Sequence, residues 1–319
     1  MTTSFTQQEI LEGAQSIGEI IQSSLTQYKG YYTRQGCLIG RFGTIEFDVI
    51  YWAEKFPESA VPTTKTDILE RNAGIFPATR ASLKRWVTCA KEAMMAADIL
   101  AVGWHAPMAT AEKELLGRWG WQGTKIPLRS LEPYYVAASA EGDCNDRWTR
   151  LLAGASVCVV TSFAATAAKQ VAKGEERVWP GAGGSIWPAS TIWHWVQTGY
   201  PPSVAHGRAG WEDSPESWEE AVEGVLTAVL ATGALIVIIG CGGLGMIIGA
   251  RLKAVGKICI VMGGATQVLF GIKGGRWANH PVISTLWNSE WVWPSAQETP
   301  KAADAIEGSC YWTPASHMR

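Results

Sequence analysis

The sequence predicts an α/β fold: a mostly parallel sheet with helices on both faces. Short apolar runs alternate with amphipathic stretches, which is typical of strands joined by helices. The runs show no polar alternation, as expected for strands buried on both faces. Two of them, residues 234–239 and 257–262, end in glycines, which indicates a strand, a glycine turn and a helix, followed by a second strand and turn.

The first predicted element is an amphipathic N-terminal helix. Thr6 and Glu9 have the spacing of a capping box, in which each residue satisfies a backbone N–H of the first turn. The apolar stripe that follows has helical period and consists of Ile10, Leu11, Ala14, Ile17, Ile20, Ile21 and Leu25, with Gly30 at its end. We expect this helix to occupy residues 1–30.

The first half of the chain then continues as strands and helices. The expected elements are a strand Cys37–Gly40, a helix Thr44–Lys55, a helix 82–97, a strand 99–102 and a helix 109–119. Thr44 directly follows a glycine turn and is a residue type that caps helices, so we predict it as the N-cap.

The second half repeats the pattern. The expected elements are a strand 157–161, a helix 165–172, a Gly- and Pro-rich segment 179–188, a polar loop 200–215, a helix 217–232, strands 234–239 and 257–262, and a helix 265–270. We therefore predict one domain over residues 31–312, followed by a disordered tail, 313–319.

Composition narrows the classes of function. The chain has 319 residues and is 47% hydrophobic, enough to bury a sizeable core. Its 27 basic and 29 acidic residues give no broad positive field, so we expect no nucleic-acid partner. The seventeen tryptophans suit either core packing or flat surfaces for sugars.

The cysteines and the N-terminus predict a cytoplasmic protein. The seven cysteines form no CxxC pair, and several lie in apolar strands, which is typical of buried thiols in a reducing compartment. No secretory signal pattern is present. Residues 225–250 carry no charge and are long enough to span a bilayer, but their six glycines favour a strand, turn and helix, so we expect no transmembrane segment.

The stretch Gly240-Cys241-Gly242-Gly243-Leu244-Gly245 matches GxGxxG between a predicted strand and helix. A dinucleotide site also needs an acid at the end of the next strand, and Met262-Gly263-Gly264-Ala265 supplies none. The pattern therefore disfavours a nicotinamide dehydrogenase and an S-adenosylmethionine methyltransferase. Backbone amides at the two bends, Gly240–Gly243 and Gly263–Gly264, could hold a phosphate, or the glycines could serve close packing.

A second candidate site follows the first strand. Gly40-Arg41-Phe42-Gly43-Thr44-Ile45-Glu46 combines a flexible turn with an arginine suited to a diphosphate and a glutamate suited to a cation or a sugar hydroxyl. Alternatively, Glu46 complements the helix dipole and Arg41 is a solvated charge.

Candidate proton acceptors are scattered along the sequence. His105 directly follows a predicted strand and is the best histidine candidate, ahead of His194, His206 and His280, while Asp213, Asp98 and Glu132 are alternative bases. The sequence has no GxSxG elbow, no phosphate-loop pattern and no zinc cluster.

Several phrases together resemble the GT-D-type glycosyltransferases and their relatives from polysaccharide gene clusters. These phrases are Ile39 to Glu46, Leu131 to Tyr135, Val159 to Phe163, Gly240 to Gly245 and Gly263 to Trp277, and the similarity runs in the same order from about residue 36 to residue 312.

The resemblance implies a Rossmann-like fold, a nucleotide-diphosphate sugar donor such as a UDP-sugar, and a glycan or other hydroxyl acceptor. In that family a DxE motif holds a divalent metal, Mn or Mg, against the diphosphate. Here the motif is Thr44-Ile45-Glu46, in which the glutamate matches and Thr44 replaces the aspartate. Thr44 could reach the ion through its hydroxyl, or Arg41 and helix amides could neutralise the phosphates without it.

The expected site combines both sources. The nucleotide-sugar site comprises Gly40, Arg41, Phe42, Gly43, Thr44, Ser162, Phe163, Gly240, Cys241, Gly242, Gly243, Gly263, Gly264 and Gln267. Trp104, Arg276 and Trp277 are expected at the acceptor, and Glu46, His105 and Asp213 in catalysis, with Glu46 also the candidate metal ligand. A nicotinamide oxidoreductase and a non-catalytic carbohydrate-binding protein remain the alternatives.

Overall fold

A seven-stranded sheet forms the centre of the molecule. The computed structural model describes residues 5–27, 35–103, 105–136 and 146–313. The strands are β1 (Cys37–Gly40), β2 (Ile99–Ala101), β3 (Thr124–Ile126), β4 (Ser156–Thr161), β5 (Ile192–Gln197), β6 (Ile236–Gly240) and β7 (Ile258–Val261). All neighbouring strands are parallel, in the order β3-β2-β1-β7-β6-β4-β5. The predicted Rossmann-like α/β fold is confirmed.

Helices cover both faces of the sheet. They are α1 (Gln7–Thr26), α2 (Thr44–Lys55), α3 (Thr63–Ala73), α4 (Arg80–Ala96), α5 (Ala106–Trp119), α6 (Ala164–Ala172), α7 (Glu175–Val178), α8 (Pro202–Ala205), α9 (Trp218–Ala231), α10 (Gly245–Ala254), α11 (Ala265–Leu269) and α12 (Ile283–Leu286). Short 3₁₀ turns lie between them, among them Leu128–Leu131, Pro133–Tyr135 and Gly275–Trp277.

The strands divide the core into two apolar layers because successive side chains point to opposite faces. On β6, Ile236 and Ile238 belong to the layer with α1, α6 and α11, while Val237 and Ile239 belong to the layer with α2, α3, α4, α9 and α10. Strands buried on both sides need apolar residues at every position, which explains the continuous apolar runs in the sequence.

Helix α1 packs onto the sheet domain. Thr6 and Glu9 form the predicted capping box, and the buried Ile17 and Ile21 join the core layer that also contains α6. The hydroxyl of Ser130 donates to the carbonyl of Ile10 at 2.8 Å, which ties the helix to the turn after β3.

The start of α2 differs from its prediction. Gly43, and not Thr44, is the N-cap, and Thr44 is the first helical residue. A Cβ on Gly43 would collide with the Glu46 carboxylate, which lies over the helix terminus. Glu46 is thus an acidic residue in the first turn of α2, where its negative charge complements the helix N-terminus.

The structure adds elements that the sequence did not predict, namely β3, β5, α3 and the short α8 within the loop 200–215. The apolar stretch 225–250 contains the end of α9, the strand β6 and the first part of α10. Within the described residues, no helix has the length and apolar character needed to cross a bilayer.

Cysteines and tryptophans mainly fill the core. The six described cysteines are free thiols, five of them buried. Nine tryptophans are buried, so core packing accounts for the majority of the seventeen.

The strand ends are level at the carboxyl edge of the sheet. Thr161 pairs with Gly240, Ile239 with Val261, and Ile39 with Ile260. The strands β4 and β6 are neighbours in the sheet. From β4 the chain continues to β5, on the side away from β6, and from β6 it continues to β7, on the side away from β4, so the connections after these two strands diverge. Such a divergence opens a crevice at the carboxyl edge, where ligands bind in folds of this type.

Candidate functional site

A cavity of about 650 Å³ lies at this edge. The loops after β1, β4, β5, β6 and β7 line it, and the turn Leu128–Leu131 and the C-terminal residues 306–311 close it. Its volume is in the range of small-molecule sites.

The cavity brings together many of the residues that the sequence proposed. Those in its lining are Arg41, Gly43, Thr44, Glu46, Ser162, Phe163, Gly240, Cys241, Gly242, Gly263, Gly264, Gln267, Arg276 and Trp277. These residues are separated by up to 236 positions in the chain, and the level strand ends bring them to one place.

The other three residues predicted for the nucleotide-sugar site, Gly40, Phe42 and Gly243, lie outside the lining, in packing positions. Phe42 is buried and meets Trp86 edge to face, with ring centroids 6.3 Å apart. A Cβ on Gly40 would lie 2.7 Å from the Sδ of Met246, so this glycine allows α10 to approach β1.

The proposed base candidates His105 and Asp213 are outside the cavity lining. His105 is the N-cap residue of α5, and Asp213 is exposed. Trp104 lies outside the described residues. The structure therefore does not bring His105 and Asp213 together with the glycine bends.

The two glycine bends adjoin each other. A Cβ on Gly240 would lie 3.0 Å from the carbonyl oxygen of Gly263. At the second bend the N–H of Gly263 already donates to Ile239 at 3.2 Å, and that of Thr266 donates to Gly263 at 3.1 Å. Ala265 is the first residue of α11, and the first amides of a helix have no intrahelical acceptor.

Part of the first bend serves packing. Gly242 has a φ of 44°, and a Cβ there would lie 2.7 Å from the carbonyl oxygen of Ala73, at the end of α3. A Cβ on Gly243 would lie 3.2 Å from the Cγ of Glu46. Close approach of α2 and α3 therefore explains Gly242 and Gly243, while Gly240, Cys241 and Gly242 also line the cavity.

Glu46 is a buried carboxylate in the cavity wall, with 8% of the residue exposed. Burial raises the pKa of its carboxyl group above 4.5, and this effect outweighs the hydrogen bond from its own backbone and the charge of Arg41, which lower the pKa. The residue is thus shifted toward the protonated form compared with a solvated glutamate.

Arg41 lies against the second bend, where a Cβ on Gly263 would be 3.2 Å from its Nη2. Burial lowers the pKa of the guanidinium group, and the negative charges of Glu132 and Glu46 raise it. An arginine remains charged in such surroundings, so it places positive charge beside Gly263.

Arg129 and Glu132 form an ion pair in the turn after β3. The Nη1 of Arg129 donates to the Oε2 of Glu132 at 2.5 Å, and the Glu132 side chain is 5% exposed. The guanidinium carbon of Arg129 lies 4.4 Å from the centroid of the Tyr135 ring, which gives a cation–π contact. The pair and the ring fix the position of the arginine.

His280 directs its Nε2 toward Arg129 and Tyr135. Its Nδ1 accepts the backbone N–H groups of Val282 at 3.2 Å and Ile283 at 3.3 Å. The neutral ring therefore carries its proton on Nε2, which lies 3.3 Å from the Tyr135 hydroxyl. Burial and the charge of Arg129 lower the pKa of His280, which favours the neutral ring.

Arg276 lies near the other side of the second bend. It pairs with Glu307 and lies over Tyr311, with 4.7 Å between its guanidinium carbon and the ring centroid. A Cβ on Gly264 would be 2.9 Å from the Cε1 of Tyr311. Burial raises the pKa of the Tyr311 hydroxyl to about 12, so this hydroxyl stays protonated at neutral pH.

The charge balance of the lining favours an anion. The charged residues among the lining are Arg41, Arg71, Arg129, Arg276, Glu46, Glu132 and Glu307, which leaves one excess positive charge. Two of the carboxylates are already paired with arginines.

The donor set does not fit a divalent metal. Mg²⁺ and Mn²⁺ prefer oxygen ligands, and Glu46 and Thr44 together offer one carboxylate and one hydroxyl. In the described part of the chain, no group of three or more His, Cys, Asp or Glu side chains is arranged to hold a metal ion.

Several residues of the site could not be assigned from the sequence. Arg129, Tyr200, Glu307 and Tyr311 belong to no motif, and Tyr135 lies in the phrase Leu131 to Tyr135 but was assigned no role. These residues reach the cavity from turns outside the glycine loops. His280 and Arg129 are 151 residues apart in the chain, so their proximity depends on the fold.

Comparison with models of known protein families, with curated proteins and with solved structures gave no match.

Proposed function

We propose that the protein is a glycosyltransferase that moves a sugar from a nucleotide-diphosphate donor to a hydroxyl group of a glycan or other acceptor. The observation that carries the proposal is the cavity at the carboxyl edge of the sheet, where the adjoining glycine bends meet a group of arginines. The sequence phrases that resemble GT-D-type glycosyltransferases lie largely around this cavity and support the same function.

The proposed position of the donor follows from the distribution of charge. The diphosphate lies at the bend of Gly263 and Gly264, beside Arg41, because amides and guanidinium groups are the natural donors for phosphate oxygens. The acceptor enters beside Arg276 and Trp277, on the other side of this bend, where flat apolar rings could contact a sugar.

Transfer then needs a base for the acceptor hydroxyl. The acceptor oxygen attacks the anomeric carbon, the bond from that carbon to the diphosphate oxygen breaks, and the bonding electron pair leaves with the nucleotide. Glu46 takes the proton of the hydroxyl. It suits this role because it lines the cavity and burial raises its pKa above that of a solvated glutamate, whereas Glu132 and Glu307 are held in ion pairs.

The proposal also places the protein in the cytoplasm. The six described cysteines are free, which agrees with a compartment that keeps thiols reduced.

Ligand binding tests the donor site. We expect UDP or GDP to raise the melting temperature, because a ligand that binds the folded state at 100 times its Kd stabilises it by about 2.7 kcal/mol. NAD, NADP and CMP serve as comparison ligands in the same thermal-shift assay. Stabilisation by NAD or NADP without any by UDP or GDP would favour the oxidoreductase alternative and overturn the proposal.

Glu46→Gln tests the catalytic step. We expect the variant to release sugar from the donor about 100-fold or more slowly, since a general base contributes 10²–10⁴-fold. Its Kd for UDP should stay within about threefold of the wild type, as expected when only the reacting step is affected. Glu58→Gln, at an exposed position, is the matched control. A wild-type protein that binds glycans and never cleaves donor sugars would be a carbohydrate-binding protein.

A further inference from the structure

The cavity contains arginines where the GT-D-type glycosyltransferases that the sequence resembles are expected to hold a metal ion. A diphosphate can be neutralised by a divalent cation or by guanidinium groups. The roles of the carboxylates distinguish these two ways of neutralising a diphosphate. In a metal site the carboxylates must be free to bind the cation, whereas in an arginine site they pair with the arginines and position them.

The carboxylates of this cavity have other roles. Glu132 accepts a hydrogen bond from Arg129 at 2.5 Å, and Glu307 pairs with Arg276. The Glu46 carboxylate is folded back over Gly43 at the start of α2. Glu46 and Glu132 are buried, so withdrawing Glu132 from Arg129 to bind a metal ion would leave a charge without its partner in a buried site, which is costly.

The arginines, in contrast, are arranged around the proposed diphosphate position. Arg41 touches the bend at Gly263, and Arg276 lies over Tyr311, whose ring touches Gly264. Arg129 lines the same cavity, with 28% of its side chain exposed. The planar guanidinium group presents two parallel N–H donors that match a phosphate, which an ammonium group cannot do.

We propose that Arg41, Arg129 and Arg276 hold the donor diphosphate in place of a divalent cation. The inference rests on the proposed function and specifies how its ligand is neutralised. Glu132 and Glu307 keep Arg129 and Arg276 positioned when the cavity is empty, so that the forks are oriented before the ligand arrives.

Calorimetric titration with UDP and GDP, with an excess of EDTA and separately with MnCl₂, tests the proposal. We expect the Kd of the nucleotide that binds to agree within about threefold between the two conditions. A loss of about tenfold or more in affinity on addition of EDTA would overturn the proposal and leave the proposed function intact. No binding of either nucleotide in either condition would overturn both.

Substitution of single arginines gives a second measurement. Arg276→Gln should weaken nucleotide binding in EDTA by about tenfold or more, since charge-assisted hydrogen bonds are the strong ones. Arg276→Lys should recover part of this loss, because the charge returns without the fork. Arg251→Gln removes an arginine paired with Glu223 on the surface and is the control. Unchanged affinity in Arg276→Gln, with a melting temperature equal to that of the control, would contradict the proposal.

Discussion

At the scale of single residues, Glu46 couples the site to stability. Its folded-state pKa is raised above 4.5, so the folded protein binds this proton more strongly than the unfolded chain does. The favourable contribution is complete below pH 4.5 and is lost as the pH rises through the folded-state pKa. At neutral pH the buried charge therefore lowers the stability of the fold.

Glu46→Gln should accordingly stabilise the protein at neutral pH. We expect the melting temperature of the variant to exceed that of the wild type, with a difference that grows as the pH rises from about 4.5 to about 8. Differential scanning calorimetry across this range measures it, with Glu58→Gln as the exposed control. A difference that does not vary with pH would mean that Glu46 titrates as a solvated carboxylate does.

Some residues of the candidate site could be predicted from the sequence, and others could not. Arg41 and Glu46 were identified because they follow a strand directly. The carboxyl ends of parallel strands lie at one edge of the sheet, where ligands bind. Arg129 and His280 were not assigned to the site, since they lie in turns whose position depends on distant contacts. Glu132 was weighed as a base, and its ion pair with Arg129 became visible only in three dimensions.

At the scale of elements, the glycine loop after β6 has two roles. Gly240 and Cys241 line the cavity, while Gly242 and Gly243 allow α3 and α2 to approach. The GxGxxG pattern predicted the strand, turn and helix correctly. It did not distinguish phosphate binding from close packing, because both need a position without a Cβ.

Gly242→Ala measures the packing role. Gly242 and Gly233 both have positive φ values, 44° and 68°, but a Cβ at Gly242 would meet the carbonyl oxygen of Ala73 at 2.7 Å, whereas a Cβ at Gly233 would have open space. We expect Gly233→Ala to cost about 1–2 kcal/mol for the left-handed backbone alone. Gly242→Ala should cost a further 1–3 kcal/mol or so for the collision.

Urea unfolding of the two variants gives this comparison directly. Equal losses of stability would show that the loop shifts away from α3 at little cost, and that the two elements are not tightly packed.

Some elements escaped the sequence analysis for local reasons. β3 is three residues long, lies at the edge of the sheet and has two exposed positions, so it carries little apolar signal. β5 also lies at the edge, and its Trp193 and Trp195 pack on Phe270, with centroids 5.5 and 5.2 Å apart. Edge strands need no continuous apolar run, since one side of each faces no neighbour.

At the scale of the whole molecule, α1 is continuous with the core. Ile17 and Ile21 are fully buried in the same layer as residues of β1, β4 and β6. The sequence indicated an amphipathic helix at this position and could not say what its apolar face covers.

Ile17→Ala tests whether α1 and the sheet unfold together. The substitution should cost about 2–5 kcal/mol and shift a single cooperative urea transition to lower concentration, as expected for a core position. Leu230→Ala, at a residue with 46% exposure, is the control and should cost less. Circular dichroism and tryptophan fluorescence monitor the helices and the core. A separate early transition for α1, with the main transition unmoved, would show that the helix is an independent unit.

By itself, the sequence determined the α/β class, the parallel sheet, the capping box of α1 and the strand ends from which Arg41, Glu46 and both glycine bends emerge. These follow from local periodicity and from the rule that parallel strands end at one edge. The tertiary structure alone decided which carboxylates pair with arginines, which nitrogen of His280 carries the proton and which glycines pack. Such features depend on contacts between residues that are distant in the chain, and the energies of buried charges are set by those contacts.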